Sequence, residues 1–257
     1  MLKKEEYMNI ELNEDERVDD LEYKGLRIIQ NKEGFCFGID AILLSDFAKD
    51  IKKGSQVIDL GTGTGIISIL LCEKTELSKI TGIEIQKSVC EMVEKSIKLN
   101  NLQDKFNVLN TDINELDSIL QQNSYDAIVT NPPYKKDSTG AKNLSETKLI
   151  SRHEVRFDFK KMVKNSSRLL KNGGSFYMIH RPERMAEIIK ELKENKLEPK
   201  LVRFVYPHVN SKANMILIKA VKNAKEFLTI EKPLIVYNED NTYTEEILKI
   251  YNKNSVN

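Results

Sequence analysis

Val57-Ile58-Asp59-Leu60-Gly61-Thr62-Gly63-Thr64-Gly65 is the stretch that decides the fold. Residues 57–60 read as a short buried strand. The glycine-rich turn behind it lets the backbone bend sharply and approach a ligand closely. Residues 66–72 continue as an apolar helix. Strand, tight turn and helix make the repeating unit of a parallel sheet.

Working outward, the same alternation continues. Residues 80–85 form a second strand, and 88–99 an amphipathic helix with Val89, Met92, Val93 and Ile97 on one face. Strands are expected at 106–109 and 125–130, a helix at 159–170 closed by Asn172-Gly173-Gly174, and a fifth strand at 175–179. Pro182 suits the first turn of the next helix, whose Met185, Ile188, Ile189 and Leu192 point inward. Residues 201–206 and 215–221 are two last strands with no helix between them, so they should pair antiparallel. On the N-terminal side, 26–30 and 35–37 read as a β-hairpin, after which Asp40 can cap a helix at 41–48. The expected fold is α/β and Rossmann-like: a mostly parallel seven-stranded sheet, a terminal antiparallel hairpin and an N-terminal β-hairpin. Three segments are expected: an acidic leader at 1–22, the main domain at 23–222 and a C-terminal extension at 223–257. The leader holds nine acidic and three basic residues and reads as a loosely docked segment. The extension should carry a strand at 233–237 and a helix from Tyr243, with Thr242 and Glu245 at capping-box spacing.

Sheets of this kind bind ligands at the carboxyl ends of their strands. Gly61, Gly63 and Gly65 are spaced G-x-G-x-G, not the dinucleotide G-x-G-x-x-G, and Asp59 would repel a pyrophosphate. A cationic group, such as the amino or sulfonium part of S-adenosylmethionine, would be attracted instead. Glu84 ends the second strand, 25 positions after Asp59, where a carboxylate can accept both hydroxyls of a ribose. Asp112 ends the third and could accept from an adenine amine, or simply cap a helix. Thr62, Ile85 and Ile113 flank these acceptors, and Phe37 and Asp40 lie in the segment leading to the turn.

Thr130-Asn131-Pro132-Pro133-Tyr134 follows the fourth strand at the same edge. Two prolines end the ladder and stiffen the loop. The lone pair of an amine on an aromatic ring is delocalised, so such a nitrogen is a poor nucleophile. An acceptor for each of its hydrogens, the Asn131 side-chain oxygen and the Pro132 carbonyl, could pyramidalise it and aim the lone pair. Tyr134 offers a flat face for stacking a base.

The glycine turn together with Asn-Pro-Pro-Tyr resembles amino-group methyltransferases acting on adenine, guanine or glutamine. A narrower resemblance, to tRNA adenine N6-methyltransferases, rests on Phe35-Cys36-Phe37-Gly38-Ile39-Asp40-Ala41-Ile42-Leu43-Leu44 and on Arg152-His153-Glu154. His180-Arg181-Pro182-Glu183-Arg184, Leu197-Glu198-Pro199-Lys200 and Pro233-Leu234-Ile235-Val236-Tyr237 are similar to a bacterial branch of that family, the tRNA1(Val) adenine-37 enzymes. The likeness runs from about Asp20 to Tyr251. It implies S-adenosylmethionine as cofactor, no metal, and modification of the adenine beside the anticodon. Ile39 departs from the family pattern, where Thr or Ser is frequent, which removes a hydroxyl contact there.

Net charge is no guide to the substrate, because 40 basic residues nearly cancel 39 acidic ones. Local charge is more informative. Residues 132–171 hold eleven basic and four acidic side chains, a net of +7 directly after the catalytic loop. Lys135, Lys136, Arg152, His153 and Arg156 are the expected RNA contacts there, with 138–147 a loop able to order over substrate. A solvated helix face is the plain alternative for 160–171. His180 and His208 have no metal-like spacing, and Cys36, Cys72 and Cys90 fit neither a disulfide framework nor a zinc site. Reduced thiols, the absence of a signal-peptide pattern and of an 18-residue apolar run point to a cytoplasmic protein without membrane contact. Oligomeric state leaves no trace in the sequence. Other readings are a protein-glutamine methyltransferase, which the lack of a helical N-terminal domain disfavours, and a DNA methyltransferase, for whose recognition domain there is no room. A non-catalytic RNA-binding subunit is disfavoured by the intact Asn131–Tyr134 loop, and a nicotinamide oxidoreductase by Asp59 and the glycine spacing.

Overall fold

The computed structural model describes residues 10–33, 38–134 and 157–252. The chain opens with strands β1 (Glu16–Asp20) and β2 (Arg27–Asn31) and helix α1 (Ile39–Phe47). Then follow β3 (Gln56–Leu60), α2 (Ile66–Lys74), β4 (Lys79–Glu84), α3 (Lys87–Leu99) and β5 (Phe106–Asn110). A 3-10 turn at Ile113–Glu115 leads into α4 (Leu116–Ile119) and β6 (Tyr125–Thr130). After the undescribed segment come α5 (Phe159–Leu169), β7 (Leu170–His180), a 3-10 turn at Pro182–Arg184 and α6 (Met185–Glu194). Strands β8 (Leu197–Tyr206), β9 (Met215–Lys222), β10 (Thr229–Ile230) and β11 (Leu234–Ile235), then α7 (Glu245–Ile250), complete it.

The seven expected strands form the sheet in the order β5-β4-β3-β6-β7-β9-β8. Pairing is parallel from β5 to β7; β9 runs antiparallel to both β7 and β8. The extension adds β10 and β11, both parallel to β8, giving nine strands. Alternation along each strand builds two cores. Val57, Ala127 and Tyr177 face α1, α2 and α3, while Ile58, Ile128 and Phe176 face α4, α5 and α6. Strands buried on both faces are mostly apolar, which is why 57–60 and 125–130 read plainly despite Asp59 and Asp126.

The N-terminal hairpin differs from its expectation. The partner of β2 is β1, with Val18 opposite Ile29, and the expected return strand at 35–37 lies outside the described residues. Part of the acidic leader is therefore a strand. Its Glu16 is buried and paired with Lys95 of α3 at 2.7 Å. The hairpin docks on α3 through polar contacts that satisfy its edge: Ser96 Oγ accepts from the Ile29 N–H at 2.9 Å, and the Asn100 amide bonds both the N–H and the carbonyl of Arg27. Two caps also differ. Gly38, not Asp40, caps α1, and Thr244, not Thr242, caps α7, accepting from the Ile247 N–H. Both true caps sit two residues from the expected one, which places Asp40 inside the first turn of α1 with its carboxylate free for other work.

Ser96 is wholly buried, so Ser96→Ala strands the Ile29 N–H without a partner. The expected cost is ~1–3 kcal/mol, the penalty of an unsatisfied buried donor. Urea denaturation of the variant measures it; an unchanged midpoint contradicts the docking role.

Candidate active site

The chain runs outward from β3 through β4 to β5, then returns to add β6 on the other edge of β3. At such a reversal the loops leaving neighbouring strands diverge and open a crevice. Leu60 pairs with Ile83 on one side and Thr130 on the other, so three strand ends stand level. The Thr130 hydroxyl donates to the Leu60 carbonyl at 2.9 Å and ties two of them together.

The glycine turn floors the crevice. Gly61, Gly63 and Gly65 have φ of +69°, +53° and +83°, the left-handed region that other residues enter only with strain. At Gly65 space is also short: a Cβ would lie 3.1 Å from Val93 and 3.2 Å from Phe106. Asp59 is completely buried beneath the turn. Its Oδ2 accepts from Thr62 Oγ1 at 2.7 Å and Ser68 Oγ at 2.8 Å, while its Oδ1 has no donor among the described residues. Burial outweighs the two hydroxyl bonds and pushes the carboxyl up to about 6. Thr62 was expected at the cofactor; its side chain is instead buried and committed to Asp59. Sequence reading missed Ser68. Its one signal is a lone hydroxyl in the apolar run Ile66-Ile67-Ser68-Ile69-Leu70-Leu71.

Glu84 stands at the end of β4, buried, and braces the turn: Oε2 accepts from the Gly63 N–H at 3.2 Å and Oε1 from the Gln86 N–H at 2.9 Å. Ile85 and Ile113 are half-buried, and the end of Ile113 lies 3.9 Å from where a Cβ on Gly61 would be. Asp112 caps the 3-10 turn, accepting from the Asn114 N–H at 2.8 Å, which is the plainer of its two expected roles.

Asn131-Pro132-Pro133-Tyr134 leaves β6 beside this turn. Asn131 Nδ2 donates to Asp40 Oδ2 at 3.1 Å. The Tyr134 hydroxyl lies 2.8 Å from Asp40 Oδ2 and 2.7 Å from Asn131 Oδ1. Burial, and then the Asp40 carboxylate, raise the phenol far above its ordinary range, so it keeps its proton. Asp40, expected at the cofactor, thus bonds the Asn-Pro-Pro-Tyr loop. The Tyr134 ring, expected to offer a stacking face, packs against His180 at 5.2 Å between centroids, with the Arg181 guanidinium 5.1 Å from its centre. His180, read from sequence as ordinary, is the buried wall behind that ring. Its Nδ1 accepts from the Arg181 N–H at 2.7 Å, and burial, then the Arg184 guanidinium, lower it to about 4, leaving it neutral at pH 7.

Phe37, Lys135, Lys136, Arg152, His153 and Arg156 lie outside the described residues. The described part of the basic segment is largely paired: Lys160 with Glu191, Arg168 with Asp117 and Lys171 with Asp126. Lys161 and Lys164 edge a shallow polar pocket of about 370 Å³ that also contains Asp117, Asp158 and Glu191. Cys72 and Cys90 are buried thiols, pushed up to about 12 and about 11 by desolvation. No metal-ligand cluster occurs among the described residues, nor a helix long and apolar enough to cross a membrane.

With this geometry in view, comparison with known proteins gives a consistent result. Residues 51–248 match the family described as "Methyltransferase domain". The chain belongs to that methyltransferase-domain family. Among curated relatives, proteins named tRNA1(Val) (adenine(37)-N6)-methyltransferase recur. That of Flavobacteriaceae bacterium (strain 3519-10) is 24% identical over 227 residues, covering 88% of this chain and 94% of its own. That of Phocaeicola vulgatus is 26% identical, covering 85% and 92%. Among solved structures, a predicted O-methyltransferase from Agrobacterium tumefaciens superposes with a TM-score of 0.67 at 21% identity, covering 84% of this chain and all of its own. The M. jannaschii tRNA m1G37 methyltransferase gives 0.59 at 19% identity, covering 83% and 59%. Both share the class I methyltransferase fold that the glycine turn announced.

The state of Asp59 has a measurable consequence. In the folded protein it holds its proton to about pH 6, whereas its ordinary value is 3.8. The folded state therefore binds the extra proton between pH 4 and 6, and this contribution to stability is lost as pH rises through that window. The expected loss is roughly 3 kcal/mol for a shift of this size. Asp59→Asn cannot ionise, so the difference between wild type and variant in denaturant titrations at pH 4 to 7 isolates it. A difference that does not change with pH contradicts the assignment.

Proposed function

We propose that this chain transfers a methyl group from S-adenosylmethionine to N6 of adenine in RNA, at position 37 of a tRNA anticodon loop. The observation that carries the reading is the seating of Asn131-Pro132-Pro133-Tyr134 at the reversal of the sheet, beside the glycine turn. The names of the tRNA-modifying relatives support the substrate.

The residues around the turn fit the cofactor. Asp59 Oδ1 is a buried acceptor without a donor among the described residues, and a cationic ligand above the turn would stabilise its ionised form. Backbone at Gly61 and Gly63 has no side chain to hold a ligand off, and Glu84 at the end of β4 would accept from the ribose. When bound, the cofactor supplies an electrophilic methyl group on sulfonium sulfur. The chain's task is to present the nucleophile. Asn131 Oδ1 and the Pro132 carbonyl accept the two hydrogens of the amine and draw the lone pair out of conjugation. The Pro-Pro step holds both acceptors in one geometry, and orientation of this kind contributes up to ~7–11 kcal/mol in favourable reactions. An anticodon-loop adenine suits the site because little pairing must break for the base to reach it. The named phosphate contacts Lys135, Lys136, Arg152, His153 and Arg156 lie outside the described residues, while Lys161 and Lys164 of the same basic segment stand on α5, whose N-terminus Asp158 caps, beside a polar pocket.

The test uses purified protein, tritiated S-adenosylmethionine and tRNA lacking N6-methyladenine, with the digested products read by mass spectrometry. N6-methyladenosine at position 37 is the expected product. Label on ribosomal RNA or a protein glutamine instead overturns the substrate while keeping the class. Asn131→Ala should lower turnover by at least about 100-fold, the scale of losing one transition-state hydrogen bond. Its cofactor affinity by calorimetry should stay within about threefold, because the interaction lost is made to the amine. Near-normal turnover in that variant removes Asn131 from the mechanism.

A further inference from the structure

An asparagine side chain is almost symmetrical in shape, with an oxygen and an NH2 at nearly equivalent positions. The mechanism requires one orientation. With Oδ1 toward the target the amine finds an acceptor; with Nδ2 there, two donors oppose each other. The neighbours of Asn131 decide which orientation holds. Tyr134 cannot decide, since a hydroxyl both donates and accepts and would bond either end of the amide. Asp40 can, because a carboxylate only accepts.

The geometry of α1 aims that carboxylate. Asp40 is the second residue of the helix, and its Oδ1 accepts from the N–H of Ala41 at 3.0 Å. Its Oδ2 faces the loop, 3.1 Å from Asn131 Nδ2 and 2.8 Å from the Tyr134 hydroxyl. Were the Asn131 amide reversed, two oxygens would meet at that 3.1 Å contact, and the reversed form would be disfavoured by their repulsion. Gly38 leaves room for this arrangement: a Cβ there would lie 2.7 Å from Asp40 Oδ1.

We propose that Asp40 is a positioning residue for methyl transfer: it locks the Asn131 amide with Nδ2 inward and, by drawing the Tyr134 hydroxyl proton to itself, leaves Oδ1 as the acceptor for the substrate amine. The Tyr134 proton has two acceptors within 2.8 Å and can serve one fully. The charge-assisted bond to the carboxylate is the stronger. When the amine arrives at Asn131 Oδ1, the Tyr134 hydroxyl, still protonated, donates to Asp40 alone and Oδ1 is released. Removing Asp40 leaves Tyr134 bonded to Asn131 and the amide free to turn. This inference rests on the reading that Asn131 accepts from the amine, and its test separates the two.

The experiment compares wild type with Asp40→Asn, Gly38→Ala, Asn131→Ala and the Asp40→Asn/Asn131→Ala double variant. Asp40→Asn should lower kcat by about 100-fold while KM for S-adenosylmethionine moves less than about threefold, the pattern of a lost transition-state interaction. Gly38→Ala keeps the carboxylate but displaces it, and should lower kcat by about tenfold through the same loss of alignment. The double variant should be no slower than Asn131→Ala alone, because Asp40 acts through Asn131. A readout without substrate is the Asn131 side-chain 15N amide resonance, assigned by its absence in Asn131→Ala. One of its protons should be shifted downfield in wild type and return in Asp40→Asn. An insensitive resonance, additive losses in the double variant, or near-wild-type kcat in Asp40→Asn or Gly38→Ala each overturns the proposal. Should the wild type transfer no methyl group to tRNA, the functional reading fails by itself, and the amide resonance still decides the orientation of Asn131.

Discussion

Strand β6 pairs with β3 on the edge that β4 leaves open, in the register that sets Thr130 opposite Leu60. Everything at the site depends on that pairing. The glycine turn leaves β3 one residue past Leu60, and the Asn-Pro-Pro-Tyr loop leaves β6 one residue past Thr130, so a level register brings two distant loops to one crevice. Parallel strands pair only through long crossovers, and this one runs from α2 through β4, α3 and β5 to α4. A slip of one residue would turn Asp59 from the α1–α3 face to the other and separate the loops. The Thr130 hydroxyl on the Leu60 carbonyl fastens the register at the point where an error would matter most.

Two buried or half-buried carboxylates divide the electrostatic work. Asp59 is deep, wholly enclosed and short of donors, so its ionised form is held at a cost that a cationic ligand can offset. Asp40 is shallower and well supplied, with a backbone N–H, an amide and a hydroxyl all directed at it. One is therefore an enclosed group with an acceptor left over, and the other ties α1 to the loop that follows β6. Behind them His180 fills the wall as a neutral ring, kept so by burial and by Arg184. A charged imidazole at that place would lose the bond its Nδ1 accepts from the Arg181 N–H and face the Arg184 guanidinium with a like charge.

The alternation of strand and helix, the antiparallel final strands and the position of both motifs were legible in the sequence because each rests on local rules. Period-2 and period-3.6 patterns, glycine at positive φ and proline after a strand depend on neighbours within a few residues. What was not legible depended on partners far along the chain. Strand β1 is acidic on paper, yet Lys95, 79 residues away, neutralises Glu16 and lets it be buried. Thr62 has the sequence position of a ligand contact, but Gly82 leaves a space beside it and its hydroxyl donates to Asp59. The described part of the basic run after the Asn-Pro-Pro-Tyr loop is largely paired because Glu191, Asp117 and Asp126 come from other elements.

By itself, then, the sequence determined the α/β class and the placing of the glycine turn and the Asn-Pro-Pro-Tyr loop at strand ends, since composition and spacing restrict what backbone and side chains can do locally. Only the tertiary structure decided how each acidic side chain is used. Asp40, Asp59, Glu84 and Asp112 are similar groups in one dimension; in three they become a tie between helix and loop, an enclosed carboxyl, a brace and a cap. The reason is that a carboxylate's role is set by the donors and the burial it meets, and both arrive from elements that are remote in sequence and adjacent only in the fold.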